Sequence, residues 1–108
     1  MSDPAIINLS TEAFDKAVEK GIWLVDFWAS WCAPCRMQGK LLDDAIADLT
    51  AAGIKVGKVN IDDEPGMAMR FNVLSIPTLL IFKDGQKVRE YVGVHQPQVL
   101  IDAVKELN

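Results

Sequence analysis

The segment Ile22-Trp23-Leu24-Val25-Asp26-Phe27-Trp28 is apolar and strand-forming at every position except Asp26. A strand without polar alternation has to be covered on both faces, which places it in the middle of a sheet and not at its edge. Residues 29–34 break the pattern. From about residue 32 to residue 50, Met37, Leu41, Leu42, Ala45, Ile46 and Leu49 then recur at helical intervals. A second apolar strand follows over residues 54–61. Strand, long helix and strand make a βαβ unit, whose two strands run parallel with a right-handed crossover.

The remaining elements build outward from that unit. Residues 5–9 form a short strand, and Ser10 offers a side-chain oxygen to cap a helix that runs to about Lys20 and is ended by Gly21. Asp62 and Asp63 lead into Pro65, which suits the first position of a short helix through Arg70. Residues 78–82 and 88–92 flank Lys83-Asp84-Gly85-Gln86, where Asp-Gly signals a tight hairpin turn. Pro97 begins a last helix with Val99, Leu100, Ala103, Val104 and Leu107 on its apolar face. The order β-α-β-α-β-α-β-β-α predicts an α/β fold with a central mixed sheet of about five strands flanked by about four helices. With 108 residues, half of them hydrophobic, the chain fills one core and is expected to be one domain.

Composition removes several classes of function. A net charge of -4 and the absence of a Lys/Arg cluster argue against binding to nucleic acid or to an anionic membrane surface. No apolar run approaches the roughly 20 residues that span a bilayer, and no basic segment precedes an apolar leader. The expectation is a soluble, unexported protein. No strand-turn-helix carries a Gly-rich phosphate loop, so electrons for any redox chemistry must arrive from another protein and no cofactor is expected on this one. A zinc site wants four ligands, against the two cysteines and the single His95 present here.

Those cysteines stand in Trp31-Cys32-Ala33-Pro34-Cys35, at a strand-to-helix junction. Three residues apart, they are brought within bonding distance by one helical turn. Cys32 opens the helix, where free backbone N–H groups and the positive end of the helix dipole favour a thiolate. It is the candidate nucleophile. Cys35, one turn deeper, suits attack on a mixed disulfide and is the candidate resolving thiol. Pro34 in the first turn costs little helical hydrogen bonding.

Asp26 interrupts a strand that is otherwise apolar and ends near the cysteines. If it lies behind Cys35, burial raises its pKa and lets it exchange a proton with that thiol; the alternative is a carboxylate at an exposed strand end. Lys58, inside the neighbouring apolar run, could face Asp26 across the sheet, although an ordinary surface lysine fits that position as well. Ile76-Pro77-Thr78 precedes a strand, where proline is tolerated. His95 is read as a cap or solvent contact before the last helix, not as a catalytic group.

Taken together, Trp28-Ala29-Ser30-Trp31-Cys32-Ala33-Pro34-Cys35, the strand carrying Asp26, Val59-Asn60-Ile61-Asp62, Ile76-Pro77-Thr78 and Val92-Gly93 resemble the thioredoxin family over nearly the whole chain. The resemblance implies a protein-disulfide reductase in which Cys32 attacks, Cys35 resolves, and Asp26 with Lys58 handles the proton. It also implies that Pro77 is cis and sits against the sulfurs. The substrate surface would be Trp31, Ala33, Pro34, Ile61, Ser75, Ile76, Pro77, Val92, Gly93 and Val94, with the backbone before Pro77 pairing with an extended substrate chain. Disulfide-containing proteins and a thioredoxin reductase are the implied partners, and a cytoplasmic monomer the implied form.

Four positions depart from the family's usual pattern. Ala33 replaces a glycine between the cysteines, Arg36 a lysine and Ser75 a glycine, while Lys40 stands where a kinking proline is common. Gly39 permits a bend that Lys40 cannot impose, so the long helix is expected to bend less sharply there. A disulfide oxidant or isomerase running the couple in reverse, and a binding module with incidental thiols, are the competing readings.

Overall fold

The computed structural model describes residues 3–107. Along the chain the elements are β1 (Ile6–Asn8), α1 (Phe14–Ala17), β2 (Ile22–Trp28), α2 (Ala33–Asp44), α3 (Ile46–Ala51), β3 (Ile54–Asn60), α4 (Pro65–Arg70), β4 (Thr78–Lys83), β5 (Gln86–Val92) and α5 (Pro97–Leu107). The strands form one sheet in the order β1-β3-β2-β4-β5, parallel across β1, β3 and β2 and antiparallel across β2, β4 and β5. The run 22–28 is therefore the middle strand, with a neighbour hydrogen-bonded along each side.

Alternation along β2 sends successive side chains to opposite faces. Leu24 packs with Leu42, Leu49, Val56, Leu79, Ile81, Leu100 and Val104 on one face. Trp23, Val25 and Phe27 pack with Phe14, Val18, Val59, Met67, Leu80 and Phe82 on the other. On that second face Phe14 meets Phe82 edge-on at 5.4 Å between centroids and Phe71 at 5.3 Å, which closes the aromatic layer. Asp26 shares its face with Leu24, so a carboxylate enters the first of these cores.

Two expected helices differ from what forms. The first is a single turn, 14–17, because residues 11–13 are held in turns: the Thr11 N–H donates to Glu64 Oε1 at 3.0 Å. The Ser10 hydroxyl oxygen accepts the Ala13 N–H at 3.2 Å, just ahead of that turn. The long helix passes Gly39 and Lys40 unbroken and divides instead at Ala45, so five helices among the described residues replace the four expected. The Ala45 N–H there is shared between the Leu41 and Leu42 carbonyls at 3.2 Å each, a three-centre bond of the kind that tightens helix ends.

At the hairpin, Asp84 and Gly85 take φ of 49° and 87°, and two consecutive positive angles make the turn whose twist matches the flanking strands. The Asp84 carboxylate also accepts the Gly21 N–H at 2.8 Å. This clasp lies at the end of the sheet opposite the cysteines.

Candidate active site

Cys32 is the N-cap of α2, with φ −94° and ψ 109°, and its Sγ accepts the Cys35 N–H at 3.2 Å. The two sulfurs form a disulfide across a Cα separation of 5.2 Å. One helical turn thus holds both partners of the couple, with Pro34 in that turn. The two cysteines are unequal: Cys32 keeps 6% of its surface while Cys35 has none. They rest on Ala29, Trp28, Ile61 and Ile76. In the reduced form, the helix terminus and the Cys35 N–H favour negative charge on Cys32.

The Ile76–Pro77 peptide bond is cis. The Ile76 carbonyl oxygen lies 3.9 Å from Cys32 Sγ, so the proline loop abuts the disulfide. Pro77 itself is buried, as Cys32 is, beneath the more exposed residues around them. Its proline ring lacks an N–H, but its carbonyl accepts the Gly93 N–H at 2.8 Å and so ties the loop to the end of β5. The other expected contacts surround Cys32 with at least partial exposure. Trp31 is 67% exposed, and its indole N–H donates to Asp62 at 2.9 Å, which fixes a large apolar ring beside the sulfur. Ala33, Pro34, Ser75, Val92 and Val94 are exposed, and Ile61, Ile76 and Gly93 are half-buried.

Asp26 is fully buried, which removes the reading of an exposed strand end. Neither carboxylate oxygen has a hydrogen-bond partner among the described residues. Burial pushes the Asp26 carboxyl up to about 7, opposed by the positive charge of Lys58. Lys58 stands opposite Asp26 in the parallel β2–β3 register and is 8% exposed, not a surface lysine. A cleft of about 440 Å³ lined by Trp28, Cys35, Gly39 and Lys58 opens between α2 and the sheet. Cys35 and Lys58 thus line the same cleft, although Cys35 itself exposes no surface. A side chain at position 39 would place its Cβ 3.1 Å from Lys58 Nζ, so the ammonium would have to give by a few tenths of an ångström to admit it.

One functional candidate carries no motif and escapes a reading of the sequence. Gln38 is fully buried, and its amide bonds both backbone groups of His95: Oε1 accepts the N–H at 2.7 Å and Nε2 donates to the carbonyl at 3.0 Å. The signal available was its spacing, since residues 35, 38 and 42 fall on one helical stripe that is otherwise buried and apolar. His95 packs its ring 5.2 Å from that of Tyr91 and places Nδ1 2.9 Å from the Gly93 carbonyl. Its ring braces a loop, in keeping with a structural and not a catalytic role.

Comparison with known proteins supports this geometry. The thioredoxin family model matches residues 5–106. Thioredoxins of the Staphylococcus aureus strains Mu50 and MW2 are each 40% identical over 100 residues, covering 93% of this chain and 95% of theirs. Among solved structures, a mutant thioredoxin from Halobacterium salinarum NRC-1 superimposes with a TM-score of 0.83 at 28% identity, covering 98% of this chain and 93% of that one. Sequence, fold and the paired sulfurs agree on one chemistry, reversible dithiol–disulfide exchange with other proteins, and the chain belongs to the thioredoxin family of protein-disulfide reductases.

Proposed function

We propose that this chain works as a general dithiol reductant in the cytoplasm, as a monomer, with no bound cofactor and with electrons supplied by a separate thioredoxin reductase. The observation that carries the order of attack is the unequal burial of the two cysteines, 6% against 0%. Only Cys32 can meet a substrate first.

The Cys32 thiolate attacks one sulfur of the substrate disulfide, forming a mixed disulfide and releasing the other substrate sulfur as a thiolate that takes up a proton. Cys35 then loses its proton and attacks Cys32 Sγ. The mixed disulfide breaks, the second substrate thiol departs, and the Cys32–Cys35 bond carries the two electrons' worth of oxidation. Asp26, whose carboxyl burial pushes up to about 7, is the group suited to take the Cys35 proton. Lys58 biases Asp26 toward the ionised form that can accept it.

Supporting the compartment, a reductant of this kind works where thiols are kept reduced. No helix among the described residues is long and apolar enough to cross a membrane. The monomer reading rests on the modest apolar surface expected around Cys32, to which Trp31, Val92 and Val94 contribute. Those residues frame the surface on which a target chain would lie.

The test mixes the protein with insulin and a low concentration of dithiothreitol and follows precipitation of the released insulin chains, with Cys32→Ser alongside. Turbidity that rises much faster with the unmodified protein establishes reduction through Cys32. Equal rates, with both thiols confirmed reduced, would remove the reductant reading.

A further inference from the structure

The Gln38 amide makes with His95 the double hydrogen bond that two antiparallel strands make with each other, but from a single side chain. An amide buried in an apolar helical stripe is costly unless it is paired, and here both ends are paired with backbone. The partner residue is clamped further. His95 Nδ1 lies 2.9 Å from the Gly93 carbonyl, and the Gly93 N–H goes to the Pro77 carbonyl at 2.8 Å. The chain of contacts therefore starts on α2, one turn beyond Cys35, and passes through His95 and Gly93 to the proline loop. It returns through the Ile76 carbonyl to within 3.9 Å of Cys32. Val94, 36% exposed, sits between two anchored neighbours.

We propose that Gln38 is a positioning residue for protein substrates, fixing the Gly93–His95 wall of the substrate surface to the helix that carries the cysteines. The proposal rests on the reading of Val92 to Val94 as part of that surface. A target that lays an extended chain beside Cys32 needs the wall at a set height. A small disulfide meets only the sulfur and does not touch it. Without Gln38, the backbone N–H and C=O of His95 lose their partners, and a loop without such partners opens more readily.

The experiment compares Gln38→Met, similar in length but unable to make either bond, with the unmodified protein. Second-order rate constants are measured by stopped flow for the reduced form against insulin and against 5,5′-dithiobis(2-nitrobenzoate). The insulin rate should fall about tenfold, the size expected from one to two hydrogen bonds' net worth of positioning. The rate with the small disulfide should stay within about twofold, and the reduction potential should not move. An unchanged insulin rate, or an equal fall on both substrates, overturns the proposal. Gln38→Leu, a good helix former, is read the same way should the methionine variant fail to fold. Failure of the unmodified protein on insulin, with the small disulfide still reduced, would instead count against the reductant reading.

Discussion

Lys58 faces Asp26 across the β2–β3 ladder without touching its carboxylate: the Lys58 ammonium lies over the Trp28 indole, 4.5 Å from the ring centroid, and both Asp26 oxygens are left without a hydrogen bond from the described residues. The lysine thus acts on the aspartate through its field alone, which offsets only part of the cost of its burial. A carboxyl in that position changes its protonation near neutral pH, where a carboxylate bonded to the ammonium would stay ionised far below it.

Stability should therefore fall as pH rises because of Asp26. Below about pH 3.8 the group is protonated in both the folded and unfolded chain and contributes no slope. Between there and about pH 7 the unfolded chain has released the proton and the fold retains it, so the unfolded state binds fewer protons and stability declines as pH rises. Above pH 7 both are ionised and the loss is complete. An interval of that width corresponds to roughly 4 kcal/mol. Asp26→Asn should remove this component, seen as a smaller difference between urea midpoints at about pH 5 and about pH 8. An undiminished difference in the variant would show that Asp26 is not its source.

Lys58→Met should move the Asp26 carboxyl higher. The ammonium opposes the upward push of burial on that carboxyl, so its removal leaves burial to act without it. Carbon NMR of the Asp26 carboxyl across pH measures this directly. A midpoint at or below that of the unmodified protein would contradict the electrostatic coupling. The same variant loses the cation–π contact with Trp28, worth about 0.5–2 kcal/mol.

Gly57→Ala should destabilise the fold although the change is one methyl group. Gly57 lies in β3 between Ile7 and Val25, and a Cβ there would sit 2.5 Å from Leu9 Cδ1 and 3.4 Å from Trp23 Cζ3. Leu9 is buried, so its side chain must shift to admit the methyl group. Overpacking of this kind costs about 1–3 kcal/mol. Urea unfolding measures it, and a midpoint within error of the unmodified protein would mean that Leu9 repacks freely.

Much of this is legible in the sequence, for identifiable reasons. The nearly continuous apolarity of residues 22–28, in strand-forming residue types, points to a strand covered on both faces, and Asp84-Gly85 could adopt two positive φ angles that few dipeptides tolerate. Cys32 and Cys35 declare their distance through helical spacing. What escapes depends on partners distant along the chain. Residues 11–13 stand in turns, with Thr11 held by Glu64, 53 residues away. The break at Ala45 follows from a shared hydrogen bond that no residue type announces, and Gln38 reads as a polar helix residue until the loop 57 positions later closes on it. The cis bond at Pro77 is not legible from spacing, and only the resemblance points to it.

The depth of Cys32 also selects its targets. With 6% of its surface open, flanked by Trp31 and by the proline loop, the attacking sulfur sits at the floor of a shallow basin. A disulfide locked in a rigid core cannot be lowered into it, whereas one on a strand end or a loosened segment can be drawn out and laid flat. On this geometry, disulfides whose surroundings can yield should react faster than those locked in a folded core.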